Sequence, residues 1–305
     1  AKLASREIVD LLGGFLRRNA TALSDADVHA RMENLANGHA KTPAAHRPFV
    51  VSEVEADGAF PEGALAAADL PPRDVIERLA RFTEYVAAQV RAGQVPRVDL
   101  PDLHRANGIF DARGDVFLGP NVRPLAFDGQ GGEAFMRLLL TLEVAADNLR
   151  RGVCTTKRAL FYQLRAKLPD DSQVDTDRAL ASLANVLRVR RRALGFVEAP
   201  KGLVYGRLVI RDGGEVVDLA QAGPAGRMIP RFTDDVEIVS SDAAVIVIVE
   251  KHAVATKLAQ ARWWDAARAI MVCSFGFPAL STREFVRRLM DTLGVPAVVV
   301  ADGDH

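Results

Sequence analysis

Three continuous apolar runs near the carboxyl end place the strongest constraint on what this chain can fold into. They read "AVIVIVE" at residues 244–250, "AIMVCSF" at 269–275 and "PAVVVADGD" at 296–304, and segments with helical periodicity separate them. Strands that are apolar on both faces and alternate with helices are typical of a parallel sheet. The sequence therefore predicts an α/β layer in the last part of the chain.

Acidic residues follow the first and the third of these runs. Glu250 ends the first run, and Asp302 and Asp304 end the third. The carboxyl ends of parallel strands meet at one edge of a sheet, where ligands bind, and residues two apart in an extended chain point the same way. Carboxylate oxygens suit Mg²⁺ better than the nitrogen of the nearby His252, so these three acids are the candidate magnesium ligands. The alternative is that the acids only mark where strands meet solvent.

Helical periodicity dominates the chain up to about residue 190. It predicts helices near residues 4–18, 72–91, 132–150, 157–168 and 171–189, the last of them capped by Asp175. Two segments that favour strands follow, "FVEA" and "LVYGRLVI", with a turn at "PKG" between them. Three helices followed by a hairpin is the element order of a winged helix, and a helical bundle beside a hairpin is the alternative.

The predicted fold class is therefore mixed, α/β plus α+β, with a winged-helix domain ahead of a parallel α/β domain. We expect the winged helix to span residues 71–212 and the α/β domain residues 236–305. Residues 1–70 would form an N-terminal helix, capped by Ser5, and a linker rich in Gly, Pro and Ala. The apolar stripe of this helix fits either docking on a partner or folding back onto its own domain.

One tyrosine stands out in "CTTKRALFYQLRAK" at residues 154–167. On a helix, Tyr162 shares a face with Arg158 and Arg165, whereas Phe161 and Leu164 lie on the apolar face. Guanidinium groups stabilise a phenolate and can hold a phosphate with two hydrogen bonds, and an activated tyrosine is a covalent nucleophile. The alternative is an exposed tyrosine that stacks on an arginine.

Composition excludes several classes of protein. Lys plus Arg and Asp plus Glu both number 39, so bulk charge does not indicate nucleic-acid binding, although local basic faces remain compatible with it. The two cysteines form no CxxC motif, which argues against a disulfide scaffold and a structural zinc site. The apolar runs fall short of the roughly 20 residues that span a bilayer, so we expect a soluble intracellular protein without a membrane contact.

Four segments in order resemble one family, the topoisomerase VI A subunits and their meiotic relatives, which make recombination-initiating double-strand breaks. The segments are "TTKRALFYQL", "SLANVLRVRRRALGFVEAPKGLVYGRL", "VIVIVEKHAVATKLA" and "SFGFPALSTREFVRRLMDTLGVPAVVVADGD". The resemblance covers roughly residues 72–305. The segments "VEKHA", "GFP" and "DTLGVP" resemble the meiotic branch more than the archaeal A subunits. Membership of the meiotic branch would place the protein in the nucleus, and membership of the other branch would place it at a cytoplasmic nucleoid.

The resemblance implies a CAP-like winged helix followed by a Toprim-type domain. It implies that Tyr162 attacks a phosphate of duplex DNA to form a 5′-phosphotyrosyl bond, and that Arg158 binds the scissile phosphate. It further implies Mg²⁺ on Glu250, Asp302 and Asp304. The family pairs the tyrosine of one protomer with the metal of the other, so a DNA-bound homodimer is implied. The N-terminal helix would dock on a B-type subunit with an ATPase-like fold.

The resemblance also suggests which residues contact DNA. They are Lys157, Arg188, Arg190, Arg191, Arg192, Lys201 on the wing, Phe277 and Arg283. The sequence departs from the family pattern at Ala159, where an acid is usual, at Phe161, where a tyrosine is usual, and at Pro278–Ala279, where Pro-Asp is usual. Family members continue beyond the acids that end this sequence, so we expect an incomplete Toprim-type domain and a fragment of a longer protein.

Three other functions remain open at the level of sequence. A winged-helix DNA-binding regulator explains the arginines but leaves the tyrosine and the acids without a role. A metal-dependent phosphoesterase needs only the acids. A topoisomerase that reseals its breaks shares every motif with an enzyme that only cuts, so the sequence does not separate these two.

Overall fold

The computed structural model describes residues 6–20, 24–39, 48–51, 61–65, 67–112, 116–168, 172–197, 201–230 and 236–303. The chain divides into two compact units, residues 1–197 and 198–305. No helix within these ranges combines the length and the apolarity that a membrane crossing requires. Ser5, Asp304 and the turn at "PKG" up to Pro200 lie outside the described residues.

Helices make up most of the first unit. They are α1 (Arg6–Asn19), α2 (Asp25–Ala36), α3 (Pro72–Arg91), α4 (Gly132–Arg151), α5 (Lys157–Arg165) and α6 (Gln173–Val186). All but α2 were predicted from periodicity, and α2 has only a weak apolar stripe. The described residues between Pro48 and Leu70 form no helix, as predicted for the linker.

Local caps explain where two of these helices begin. Thr156 caps α5 by accepting a hydrogen bond from the backbone N–H of Ala159 at 3.2 Å. Ser172, not the predicted Asp175, caps α6, and it accepts from the N–H of Asp175 at 3.1 Å. The prediction was wrong by one turn because a capping side chain reaches an N–H two or three residues later. Asp175 instead accepts a hydrogen bond from the Ser172 hydroxyl.

Helix α1 folds back onto its own unit. Its apolar stripe is buried in the same core as α2, α3 and α4, and Leu12, Phe15 and Leu16 are fully enclosed. Gly13 lets α2 approach closely, since a Cβ there would lie 3.0 Å from the Met32 Cγ. Of the two alternatives for this stripe, folding back is the one observed, and the surface that α1 leaves exposed is mainly charged.

An ion-pair network at Glu143 on α4 holds the end of α1 against α4. The Glu143 carboxylate accepts hydrogen bonds from Arg18, from the Lys167 ammonium at 3.1 Å and from the Asn19 amide at 3.2 Å. Burial alone would raise the pKa of the Glu143 carboxyl, but these donors together hold the pKa below its ordinary value. The carboxylate therefore stabilises the fold only while it is ionised.

We expect Glu143→Gln to lower the free energy of unfolding by about 1 kcal/mol at pH 7, since the charged partners are half-exposed. A lowered folded-state pKa stabilises the fold above the ordinary glutamate pKa, about 4.3, and this stabilisation is lost as pH falls through the folded-state value. Denaturant unfolding measured at pH 7 and at pH 3 should show that the free energies of unfolding of the wild type and Glu143→Gln differ less at pH 3. Glu84→Gln, which removes an exposed pair with Arg91, is the control and should change little. An equal difference at both pH values would contradict this account.

Short strands complete the first unit, as the turn-rich sequence predicts. β1 (Arg97–Pro101) pairs with β4 (Val122–Ala126), and β2 (Gly108–Phe110) pairs with β3 (Val116–Leu118), both antiparallel. β5 (Thr155–Thr156) pairs in parallel with β6 (Phe196–Val197), so the end of this unit lies beside the start of α5.

The second unit is built on a five-stranded sheet. Its strands are β7 (Leu203–Gly206), β10 (Arg227–Met228), β12 (Val245–Val249), β13 (Ala269–Cys273) and β14 (Ala297–Val300), in the order β10-β7-β13-β12-β14. β12 is parallel to both β13 and β14, which confirms the predicted parallel layer. Helices α7 (His252–Gln260), α8 (Trp263–Ala267) and α9 (Leu280–Leu293) connect the parallel strands.

The predicted winged-helix hairpin is wrong in its strand pairing. Leu203–Gly206 does not pair with Phe196–Val197; it lies antiparallel to Ala269–Cys273 in the sheet of the second unit. Tyr205 and Val204 are both buried, so this strand has two covered faces and cannot be a solvent-exposed wing. Position 206 requires a glycine, because its φ is +96° and a Cβ there would lie 2.6 Å from the Ala269 carbonyl oxygen.

The same pairing moves the boundary between the units. Residues 198–212, predicted to end the first domain, belong to the second unit. β8 (Val209–Asp212), β9 (Glu215–Asp218) and β11 (Glu237–Ser240) form an antiparallel three-stranded sheet in this unit. Of these strands, β9 lies within residues 212–236, where the sequence suggested a connection between domains. Partners far along the chain decide this assignment, and a local pattern does not reveal them.

Candidate functional site

Tyr162 lies on the exposed face of α5. Its side chain is 55% exposed, whereas Phe161, Leu164 and Leu168 on the opposite face are buried, as the helical pattern predicts. The amino end of α5 is held by the Thr156 cap and by β5, where the Thr155 hydroxyl donates to the Asn148 side chain at 2.9 Å. The tyrosine therefore projects from a well-anchored short helix.

Arg158 holds the phenol oxygen of Tyr162. One guanidinium nitrogen donates to the Tyr162 Oη at 3.0 Å, and the guanidinium carbon lies 4.9 Å from the centre of the tyrosine ring. A second nitrogen reaches the Gln173 Oε1 at 3.4 Å. Arg165 contacts the Phe161 ring instead, at 5.8 Å. Of the two arginines expected beside the phenol, the structure brings only Arg158 to the oxygen.

The other two tyrosines have different environments. Burial raises the pKa of Tyr85 and of Tyr205 to about 12. Both phenols therefore stay protonated near neutral pH, where they act as hydrogen-bonding or packing groups. Tyr162 is the tyrosine of this chain whose side chain is largely open to solvent.

The arginine run after α6 lies against the linker. The backbone of Ala68 forms two hydrogen bonds with the residues on either side of Val189: its N–H donates to the Arg188 carbonyl, and its carbonyl accepts from the Arg190 N–H. The carboxylate of Asp69 then pairs with Arg192 and lies 3.9 Å from Arg190. Sequence reasoning missed Asp69, since nothing in the local pattern links residue 69 to this run. Burial lowers the pKa of Arg188, and Arg188 has a positive φ of 55°.

Lys157, the remaining predicted DNA contact of the first unit, pairs with an acid on the next helix. Its ammonium nitrogen lies 3.7 Å from the Asp177 carboxylate. Arg191 is partly buried, whereas Arg190 and Arg192 are exposed. Of the predicted DNA contacts in this unit, Lys157 therefore lies near the start of α6, and the arginines follow the end of α6.

The structure brings Glu250 and Asp302 to one edge of the parallel sheet. The ladder between β12 and β14 continues one residue past β12, where the Glu250 N–H donates to the Val300 carbonyl at 3.0 Å. Lys251, which sequence reasoning did not single out, lies between the two carboxylates. Its ammonium nitrogen is 2.8 Å from the Asp302 Oδ2 and 3.6 Å from the Glu250 Oε1. Predicted ligand Asp304 lies outside the described residues.

The two carboxylates at this sheet edge are candidate metal ligands. Among the residues that the structure describes, no cluster of three or more His, Cys, Asp and Glu is suited to a metal. Two carboxylates that share one cationic nitrogen do match the usual protein contribution to Mg²⁺, which takes one or two carboxylates and keeps several waters. The ammonium of Lys251 stands at a position that a cation favours. Glu250 and Asp302 therefore fit a hard divalent ion.

The loop after β13 lies beside these acids. The Gly276 N–H donates to the Glu250 carbonyl at 2.9 Å, and the Phe275 ring lies 4.9 Å from the His252 ring. Phe277 is 82% exposed, which excludes a core role for this aromatic. The Lys201 ammonium is 3.5 Å from the Phe277 carbonyl oxygen, so Lys201 lies in this loop cluster and not on a wing.

Arg283, the last predicted DNA contact, is exposed near the start of α9, which begins just after the same loop. Lys201, Phe277 and Arg283 therefore belong to the second unit together with the carboxylates. The predicted DNA contacts divide between the two units: five arginine or lysine residues lie in the first, and two such residues and Phe277 lie in the second.

Two family models match the chain. The model described as "Type IIB DNA topoisomerase" matches residues 133–196, which include Tyr162. The model for the Toprim domain that topoisomerase 6 A subunits share with Spo11 matches residues 245–305, which include Glu250 and Asp302. Each match lies within one of the two units.

Three curated relatives illustrate the similarity. The chain is 30% identical over 239 residues to the A subunit of type 2 DNA topoisomerase 6 from Hyperthermus butylicus, which covers 73% of this chain and 62% of the relative. It is 36% identical over 154 residues to the A subunit of DNA topoisomerase 6 from Arabidopsis thaliana, covering 50% and 36%. It is 32% identical over 176 residues to the meiotic recombination protein SPO11-2 of Arabidopsis thaliana, covering 56% and 46%. The chain thus spans less than two thirds of the length of these relatives.

Proposed function

Because the chain belongs to the family of topoisomerase 6 A subunits and Spo11, we propose that it cleaves duplex DNA by transesterification, with Tyr162 as the nucleophile. The observation that carries the proposal is the exposed phenol whose oxygen accepts a hydrogen bond from Arg158. A positively charged donor on this oxygen stabilises the phenolate that attacks phosphorus. Covalent trapping of labelled DNA on the denatured protein tests the proposal.

The reaction proposed for Tyr162 replaces one phosphate ester with another. The phenol oxygen attacks the phosphorus of a backbone phosphate and loses its proton to solvent. The bond between phosphorus and the 3′ oxygen breaks, and the 3′ oxygen gains a proton, which leaves a 5′-phosphotyrosyl bond and a free 3′ hydroxyl. Arg158, already at the phenol oxygen, is in place to hold an oxygen of the same phosphate. Gln173 helps to fix the guanidinium in that position.

Glu250 and Asp302, with Asp304 as a proposed third ligand, are the carboxylates that would hold Mg²⁺. Bound there, the ion would stabilise negative charge on the phosphate oxygens and on the leaving 3′ oxygen. For the way in which Tyr162 and the carboxylates act together, we propose the arrangement that the family resemblance implies. In it, two protomers bind the duplex, and the tyrosine of one acts with the carboxylates of the other. One cut in each strand then gives a double-strand break.

Cations of both units support phosphate contacts with the duplex. In the first unit these are the exposed Arg190 and Arg192, with Lys157, Arg188 and Arg191 beside them. In the second unit they are the partly buried Lys201 and the exposed Arg283, with the exposed ring of Phe277. Contacts to phosphates release counterions, so the affinity should fall steeply as salt rises. Asp69 competes with DNA for two of these arginines.

We expect Asp69→Asn to strengthen DNA binding by about two- to fivefold, the amount that a partly exposed ion pair contributes. The variant releases Arg190 and Arg192 from this carboxylate, and the dependence of affinity on salt should become steeper. Fluorescence anisotropy with a labelled duplex, without Mg²⁺, measures both. Asp147→Asn, which removes an exposed pair with Arg151, controls for the change in net charge. Weaker binding by Asp69→Asn alone would mean that Asp69 orients the arginines for DNA.

A B-type subunit is the proposed protein partner. The apolar stripe of α1 is occupied by the first unit, so docking through this helix would use its charged surface, which includes Glu7, Asp10 and Arg17. The proposed setting is the initiation of meiotic recombination in the nucleus, because the segments "VEKHA" and "GFP" resemble the meiotic branch of the family.

A topoisomerase component that cuts and reseals duplex DNA is the second candidate function. The larger share of the chain that matches the Hyperthermus butylicus relative, 73% against 56% for SPO11-2, favours it. Supercoiled DNA incubated with ATP, the chain and a B-type subunit distinguishes the two functions. Relaxed closed circles would support the topoisomerase, and protein-linked breaks without relaxation would support the break-forming enzyme.

A further inference from the structure

Lys251 occupies an unusual position for a lysine. It directly precedes α7, where the helix dipole disfavours a positive charge, and no side chain caps this helix end. Its ammonium nitrogen contacts Asp302 at 2.8 Å and lies 3.6 Å from Glu250. The acids therefore offset an otherwise unfavourable placement, and the lysine offsets the repulsion between two neighbouring carboxylates.

The same carboxylate oxygens cannot serve Lys251 and a divalent ion together. A metal ion needs direct contact with carboxylate oxygens, and a unit positive charge within a few ångströms of it would be strongly repelled. Lys251 is 45% exposed at its side chain, and partly exposed ion pairs of this kind are weak. A flexible four-carbon chain can leave the carboxylates without disturbing the backbone.

A displaced Lys251 remains near the place where phosphate would bind. Its backbone is fixed between β12 and α7, since its carbonyl accepts from the N–H groups of Val254 and Ala255. The ammonium can therefore move only within the reach of its own side chain, around the carboxylates and the loop that carries Phe277. A DNA phosphate that contacts the metal would be an anion close to that range and not already bound by the protein.

We propose that Lys251 is an exchangeable counter-ion: it neutralises Glu250 and Asp302 before a metal ion binds, yields to the ion, and then contacts a phosphate of the DNA. The first half concerns the carboxylates alone, and the second half rests on the proposed DNA cleavage. The exchange makes metal binding and phosphate binding depend on each other, because the metal releases the cation that the phosphate then uses.

Metal affinity tests the first half without DNA. Mn²⁺ binding followed by electron paramagnetic resonance is compared among the wild type, Lys251→Met and Lys257→Met, which removes the same charge from an exposed position of α7. We expect Lys251→Met to bind Mn²⁺ about two- to fivefold more tightly and Lys257→Met to match the wild type. Glu250→Gln should sharply weaken Mn²⁺ binding. Unchanged or weaker binding by Lys251→Met, or Mn²⁺ binding that Glu250→Gln leaves unchanged, would overturn the exchange.

DNA affinity tests the second half, in a Tyr162→Phe background that prevents cleavage. We expect Lys251→Met to reduce duplex binding severalfold in Mg²⁺ and to leave it unchanged in EDTA, since the lysine is engaged by the acids when metal is absent. An equal reduction in both conditions would overturn the exchange and indicate an ordinary phosphate contact. If the wild type traps no DNA covalently, the proposed cleavage is contradicted. The Mn²⁺ measurement tests the exchange at the carboxylates independently of that result.

Discussion

Tyr162→Phe should abolish covalent capture of DNA while leaving the fold and DNA binding intact. The substitution removes only the oxygen that would join phosphorus, and the ring is exposed on one side of α5, so packing is preserved. Loss of a nucleophile typically lowers the rate by at least about 10³-fold. The assay incubates labelled duplex with protein in Mg²⁺, denatures the mixture, and measures label that migrates with protein and is released by protease.

Tyr85→Phe is the matched control for this experiment. Tyr85 is a tyrosine of the same unit whose hydroxyl donates to the Arg97 carbonyl, and burial raises the pKa of this phenol to about 12. Its loss should cost about 1 kcal/mol of stability and leave capture unchanged. Cleavage that survives Tyr162→Phe would mean that the acids hydrolyse DNA without a covalent step. Normal DNA binding with no capture by the wild type would favour a non-enzymatic regulator.

Glu250→Gln should lower DNA capture by about 10²-fold or more and shift its dependence on Mg²⁺ to higher concentrations. The amide is nearly the same size as the carboxylate but lacks the charge that holds a divalent ion, and charge stabilisation at the phosphate is a large part of such catalysis. Capture measured across a series of Mg²⁺ concentrations distinguishes weaker metal binding, which excess Mg²⁺ rescues, from lost chemistry, which it does not.

Asp291→Asn controls for this change. Asp291 belongs to the same unit and pairs with Arg287 on an exposed turn of α9, away from the strand ends. It should keep full capture and an unchanged Mg²⁺ dependence. Glu250→Gln protein that folds normally and still captures DNA at the wild-type Mg²⁺ optimum would exclude Glu250 as a metal ligand. That result would leave Tyr162 and Arg158 as the only supported part of the site.

Most helices and the parallel strands of the second unit could be predicted because their signals are local. The spacing of Phe161 and Leu164 requires a helix that buries them and exposes Tyr162. The apolar run before Glu250 requires a strand covered on both faces, and parallel pairing then brings Asp302 to the same edge. The α6 cap was missed by three residues, and α2 was missed because its apolar pattern is weak.

Strand pairing between distant segments could not be predicted in the same way. "LVYG" reads equally well as a wing or as a buried strand, since short apolar runs fit both. Its pairing with Ala269–Cys273 depends on residues far along the chain, and it moves Lys201 into the second unit beside Phe277. The sequence also left both destinations open for the stripe on α1.

The sequence by itself determined which residues are candidates for the chemistry: an exposed tyrosine beside an arginine, and acids after parallel strands. These follow from side-chain identity and from the periods of helix and strand, which are fixed by the backbone. Only the tertiary structure decided which charges meet, with Asp69 on the arginine run and the Lys251 ammonium between Glu250 and Asp302. Ion pairing depends on distances of a few ångströms, and those distances exist only after the distant segments and the flexible side chains have taken their places.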